Sequence, residues 1–212
     1  MTDWDEGALG ALRSAASLGR GAAGVELLRV RPLEPVLQYA GDVLVAALGQ
    51  AVPGTLPLAE KCLQALNARG EAGDRELAVE LVQALAGGHD ALTRVPVDLG
   101  ELAGALHGRL GDGPFVIDLA RGDVLPVDEA VSMDGTSAEA LAGECGEQGP
   151  GYDRERWLTL SPEAAPAASA GPGPAAPGGE PPGGDFAREE RERGRARLWL
   201  AAYGLSPAPR HL

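Results

Sequence analysis

Residues 115–127 read Phe-Val-Ile-Asp-Leu-Ala-Arg-Gly-Asp-Val-Leu-Pro-Val. Phe115–Leu119 is the stretch richest in β-favouring side chains. Arg121-Gly122 supplies the positive φ of a tight turn, and Asp123–Val127 returns as a partner strand. Pro126 and the acids that follow place this second strand at a sheet edge, because proline cannot donate to a ladder. A β-hairpin in a chain whose other apolar residues recur at helical spacing predicts an α+β fold that is mostly helical.

Upstream of the hairpin, Arg94–Val97 is a short extended piece, confined to an edge or a strand start by Pro96. Asp98, with Glu101 three residues on, is an acidic version of a capping box, and Leu99, Leu102, Ala103 and Leu106 then share a helical face. This gives a β-α-β-β element over residues 91–160, with Arg156–Leu160 as a candidate third strand. Residues 128–151, rich in acids and glycine, are expected to form a mobile acidic loop.

Residues 1–90 predict a small helix bundle. Leu9, Leu12 and Ala16 make a weak first face, and Val25, Leu27 and Leu28 a second one stopped by Pro32. Val36, Leu37, Ala40, Val43, Leu44, Ala47 and Leu48 follow Pro35 at clear helical spacing. A fourth helix after Thr55 carries Leu58, Cys62, Leu63 and Leu66. A fifth, capped by Asp74, is expected to bury Leu77, Ala78, Leu81, Val82 and Leu85 before Gly87-Gly88.

Downstream, 20 of the 24 residues in 161–184 are Ala, Gly or Pro, and none is large and apolar. The composition predicts a disordered linker, its ends roughly 25–30 Å apart. Residues 185–212 hold a C-terminal amphipathic helix from Asp185 to Tyr203, stopped by Gly204. Its expected docking face is Phe186, Leu198, Trp199, Ala202 and Tyr203. Its five arginines (188, 191, 193, 195 and 197) stand against Asp185, Glu189, Glu190 and Glu192. The spacing suggests a solvated face neutralised along the helix by Glu189–Arg193 and Glu192–Arg195 pairs.

The composition narrows the function classes. Leu, Ile, Val and Phe number 47 of 212 residues, Ala alone 37, and the net charge is -13. That describes a small Ala- and Leu-rich core rather than a basic nucleic-acid coat or a disulfide scaffold. Duplex nucleic acid is not an expected partner, because an acidic body repels phosphate. No apolar run is long enough to span a membrane. The first ten residues, MTDWDEGALG, are acidic where a secretory signal would be basic, so a cytoplasmic protein without membrane attachment is expected.

Candidate chemistry is sparse. Gly19–Gly24 spells GxGxxG, but no strand precedes it and Pro32 follows closely, so it reads as a flexible interhelical turn. Asp112, Asp118, Asp123, Asp128, Glu129 and Asp134 gather around the hairpin without the spacing of a calcium loop. His89, His107 and His211 are isolated, and His89-Asp90 reads as a polar loop. Cys62 reads as a core residue, and Cys145 is too distant for a paired motif. No catalytic residue, metal ligand or cofactor is assigned. Gly122, Trp157, Trp199 and Tyr203 are the structural or interaction candidates.

Val95–Leu99, Glu101–Ala103, the FVIDLARGDVLPV hairpin, Arg156-Trp157-Leu158 and Arg193–Leu200 together resemble uncharacterised protein family 0158 of bacteria, in its actinobacterial branch. The resemblance covers residues 94–127, 152–160 and 186–205 and is vaguer over 34–90. It brings no activity, cofactor or catalytic residue with it. Members similar to this chain carry a helical block between the RWL strand and the last helix, where the linker stands here. The expected function is a non-catalytic interaction or regulatory module with a protein partner, its oligomeric state open. The alternatives are a metal-dependent enzyme using the hairpin carboxylates and a nucleic-acid-associated protein using the Arg-bearing helix.

Overall fold

A computed structural model describes residues 3–88, 92–111, 113–134, 156–160 and 184–210. Five helices build the N-terminal part: α1 (Glu6–Ser17), α2 (Gly21–Leu28), α3 (Leu37–Gly49), α4 (Thr55–Arg69) and α5 (Asp74–Leu85). A 3₁₀ turn, Glu34–Val36, leads into α3 and carries Pro35 where a missing N–H costs nothing. α3 packs against the other four helices and contributes Leu37, Tyr39, Ala40, Val43, Leu44 and Ala47 to one core. Asp5 caps α1 by accepting from the Ala8 N–H at 2.8 Å.

The mostly helical α+β class is observed. β1 (Thr93–Val95) leads to α6 (Leu99–Leu106), capped as expected by Asp98, which accepts from the N–H groups of Gly100 and Glu101. β2 (Phe115–Asp118), β3 (Val124–Pro126) and β4 (Trp157–Leu160) form an antiparallel sheet in the order β3-β2-β4. β2 is therefore central and buried throughout, and Phe115 faces Pro126 on one side and Leu160 on the other. The last helix, α8 (Gly184–Ala202), ends at Gly204 and is followed by β5 (Leu205–Pro207), which pairs in parallel with β1. β5 has no sequence signature: Leu-Ser-Pro-Ala-Pro is a strand only because α8 delivers it beside β1.

A second core holds Val95, Val97, Leu99, Leu102, Phe115, Ile117, Trp199 and Leu200 among others. α8 lies between this core and the bundle and packs on both α6 and α3. Its single helix therefore joins the two hydrophobic cores.

Several expectations are corrected. The acidic segment begins as a helix, α7 (Val127–Asp134), which buries Val127 and Ala130 against Val116 and Trp157. The rest of the proposed loop, to 151, and residues 161–183 of the proposed linker lie outside the described residues, as do His89, Asp90, Asp112, Cys145 and His211. The GxGxxG stretch is not a free turn, because α2 runs through Gly21 and Gly24, both buried against α3. A Cβ on Gly21 would meet the Ala47 backbone, and one on Gly24 the Val43 side chain, so these glycines set a close helix crossing. Gly73, at φ 82°, caps α5 in place of Asp74. Val82 on α5 is exposed and Glu80 is buried instead.

Candidate functional site

In α8, Glu190, Arg193 and Arg197 recur at i, i+3 and i+7 and so share one face; Glu192, Ala196 and Trp199 fall on the neighbouring one. The sequence suggests solvent for the charged face. The structure turns it into the bundle: Glu190, Arg193 and Arg197 are 3%, 5% and 1% exposed. The expected pairs along the helix are replaced. Glu189 takes the Arg13 guanidinium at 2.8 Å and the Tyr39 hydroxyl, and Glu192 meets Arg109. Arg195 remains exposed.

The physical reason is that α3 and α5 carry lone polar groups on their inner faces. Arg197 donates to Gln38 Oε1 at 3.1 Å, to Glu80 Oε1 at 2.6 Å and to Asp42. Arg193 donates to the other Asp42 oxygen through Nε and Nη2 and lies over the Tyr39 ring, 4.3 Å from its centroid. Glu190 accepts from the backbone N–H groups of Gln38 at 2.9 Å and Tyr39 at 3.1 Å, at the start of α3. Arg69 joins Glu190 at 3.5 Å to Asp74, and Asp74 in turn accepts from Gln38 Nε2. The network therefore ties α8 to α1, α3, α4 and α5.

Its electrostatics are set by burial against partner charge. Burial alone would raise the Asp42 carboxyl, but Arg197 and Arg193 outweigh it and hold it below its ordinary value. Glu189 is lowered in the same way, mainly by Arg13. Glu190 goes the other way: burial wins over the two backbone donors and Arg69, and pushes it up to about 7. Burial likewise raises Cys62 to about 12, consistent with a core thiol.

Beside the network, a cavity of about 210 Å³ opens where α1, α3, β1, the start of α6, α8 and the chain after β5 meet. Asp42, Glu80, Arg94, Asp98 and Arg193 line it, with Val45, Val97 and Pro209 among its apolar walls. The Asp98 carboxyl, which burial would raise, is held low by the Arg193 charge, the Ser17 hydroxyl at 2.7 Å and the cap N–H groups.

Among the described residues, the hairpin carboxylates do not gather into a metal set. Asp118 is fully buried and accepts from the N–H groups of Ala120 and Arg121 within the turn and from Arg156 at 3.0 Å. Arg156 and these donors outweigh burial and keep its carboxyl low. Asp123 lies 3.7 Å from Arg210, which also donates to the Gly122 carbonyl. Gly122 has φ 76°, as the turn requires. His107 is within 2.8 Å of the Ala103 carbonyl of its own helix. Among the described residues, no three or more His, Cys, Asp or Glu side chains gather as a metal set.

Trp157 is 2% exposed beneath the Arg156 guanidinium, 4.8 Å from its ring centre. Trp199 is 1% exposed, its indole N–H without a partner among the described residues, and Tyr203 tilts against it at 4.6 Å while remaining 41% exposed. The docking face expected for α8 is thus partly corrected. Trp199 anchors the second core and Phe186 stacks on Tyr39, but Leu200 and Ala196 are the buried residues in place of Leu198 and Ala202. Sequence reasoning missed the network, although it left a signal: Gln38 and Asp42 stand four apart on a face of α3 that is otherwise apolar.

Among the described residues, no helix is long and apolar enough to cross a membrane. No family model, curated protein or solved structure matches the chain.

Proposed function

We propose that the protein is a non-catalytic, cytoplasmic interaction or regulatory module whose partner is another protein. The observation that carries this reading is the use of charge. Asp42, Glu189, Glu190, Arg193 and Arg197 are the kind of perturbed groups a catalytic centre would recruit, and each is engaged between α8 and the bundle: Asp42 by Arg193 and Arg197, Glu189 by Arg13 and Tyr39, and Glu190 by the Gln38 and Tyr39 N–H groups. The polar chemistry holds a shape. The Asp118 carboxylate that a metal-dependent reaction would use is occupied by Arg156, and two of the five α8 arginines that would meet phosphate face inward.

The shape leaves Val79 and Val82, one turn apart on α5, about half exposed. We assign the protein contact to this strip. The segments that resemble protein family 0158 pack together here, since β2 pairs with β4 and α8 packs on α6, and the resemblance itself stays a proposal. The test is affinity capture from the source cytoplasm with the wild type and with Val79→Asp/Val82→Asp. A stoichiometric partner lost by the variant, at unchanged melting temperature, supports the reading. Equal recovery of the same proteins by both refutes it.

A further inference from the structure

We infer that the cavity between the bundle and the β1–β5 pair is a binding site for a small monocarboxylate with a short apolar chain. This inference does not depend on the protein contact proposed above. Its basis is an imbalance between used and unused hydrogen-bonding capacity. The three carboxylates on the wall are already engaged. Asp42 accepts from Arg193 and Arg197, Asp98 from Ser17 and the two cap N–H groups, and Glu80 from Arg197.

The cations are not equally engaged. Arg193 is 5% exposed and uses Nε and Nη2 on Asp42; among the described residues its Nη1 has no hydrogen-bond partner. Arg94, on β1 at the mouth, is exposed and makes no ion pair among the described residues. A lining whose carboxylates are each already engaged, beside guanidinium donors that are not all used, favours an acceptor-only ligand, for which carboxylate is the matching group.

Charge and size restrict the class further. The engaged carboxylates still repel a second negative charge, so a phosphate dianion is disfavoured against a monoanion. A cavity of about 210 Å³ has room for a carboxylate and a few carbon atoms beyond it. Val45, Ala46, Val97, Pro207 and Pro209 offer those carbons apolar walls. Such a ligand would touch α3, β1 and the segment after β5 together, and would hold the C-terminal part of the chain against the bundle.

The test uses the full-length protein and butyrate, with inorganic phosphate and butanol as comparison probes, read by amide chemical shifts and thermal melting. Saturable butyrate shifts centred on Ala46, Arg94 and Val97, with a raised melting temperature, are expected. Arg94→Leu, which removes an exposed side chain, should weaken binding roughly tenfold by loss of one charge-assisted contact. Ala46→Leu, which fills the cavity, should also weaken it while the protein still melts cooperatively. Non-saturable shifts, undiminished binding in Arg94→Leu, or equal binding of phosphate or butanol would each overturn the assignment.

Discussion

Arg197→Ala is the most informative perturbation of this fold. The side chain is 1% exposed and its guanidinium reaches Gln38, Asp42 and Glu80, on two helices of the bundle. Truncation leaves the Glu80 carboxylate, 7% exposed, without this donor, and leaves Asp42 dependent on Arg193 alone. Removing one partner of a buried ion pair costs about 3–5 kcal/mol, because the remaining charge stays desolvated. For a chain of this length each kcal/mol moves the melting temperature by about 2–4 °C, so a fall of roughly 6–20 °C is expected. Arg197→Lys should recover little of it, since one ammonium cannot span the three acceptors of the planar fork. In contrast, Lys61→Ala breaks a 3.6 Å pair between two half-exposed side chains and should change stability by less than about 0.5 kcal/mol. The assay is urea and thermal unfolding followed by circular dichroism and tryptophan fluorescence. An Arg197→Ala loss as small as that of Lys61→Ala would refute the clasp of α8 by the bundle.

Glu190, raised by burial to about 7 from an ordinary 4.5, stabilises the fold most while it is protonated. Its contribution is fully present below about pH 4.5 and is lost as pH rises towards 7, at up to about 1.4 kcal/mol per pH unit for one proton. Glu190→Gln should flatten that limb of the stability–pH curve, and an unaltered slope would contradict the assignment. Below pH 4 the sign reverses, because Asp42, Asp98, Asp118 and Glu189 are held low and their contribution disappears as they protonate. Gly122→Val should cost about 1–3 kcal/mol from backbone strain alone, with more from contact of the new Cβ with the Pro96 carbonyl, and an unchanged melting curve would remove the turn assignment. Duplex DNA should not bind with sub-micromolar affinity near 150 mM salt, since Arg193 and Arg197 face inward on a chain of net charge -13; a shifted band in an electrophoretic assay would be the contrary result.

What the sequence determined by itself is local. The β2–β3 hairpin, the αL glycine in its turn, the Asp98 cap and the apolar face of α3 follow from side-chain period, turn chemistry and backbone sterics within a dozen residues. Only the tertiary structure decided how α8 is used. A run such as Glu189–Arg197 satisfies the same i,i+3 and i,i+4 spacing in water as in a core, so sequence spacing cannot separate the two. The deciding partners of Arg197, which are Gln38, Asp42 and Glu80, lie 159, 155 and 117 positions away, and Glu80 looks like an ordinary polar residue until α8 covers it. β5 and the cavity arise in the same way. Three residues ending in proline become a strand beside β1, and an open cavity lined by Arg94 and Arg193 forms, because the charged face of one helix is neutralised by the bundle it crosses.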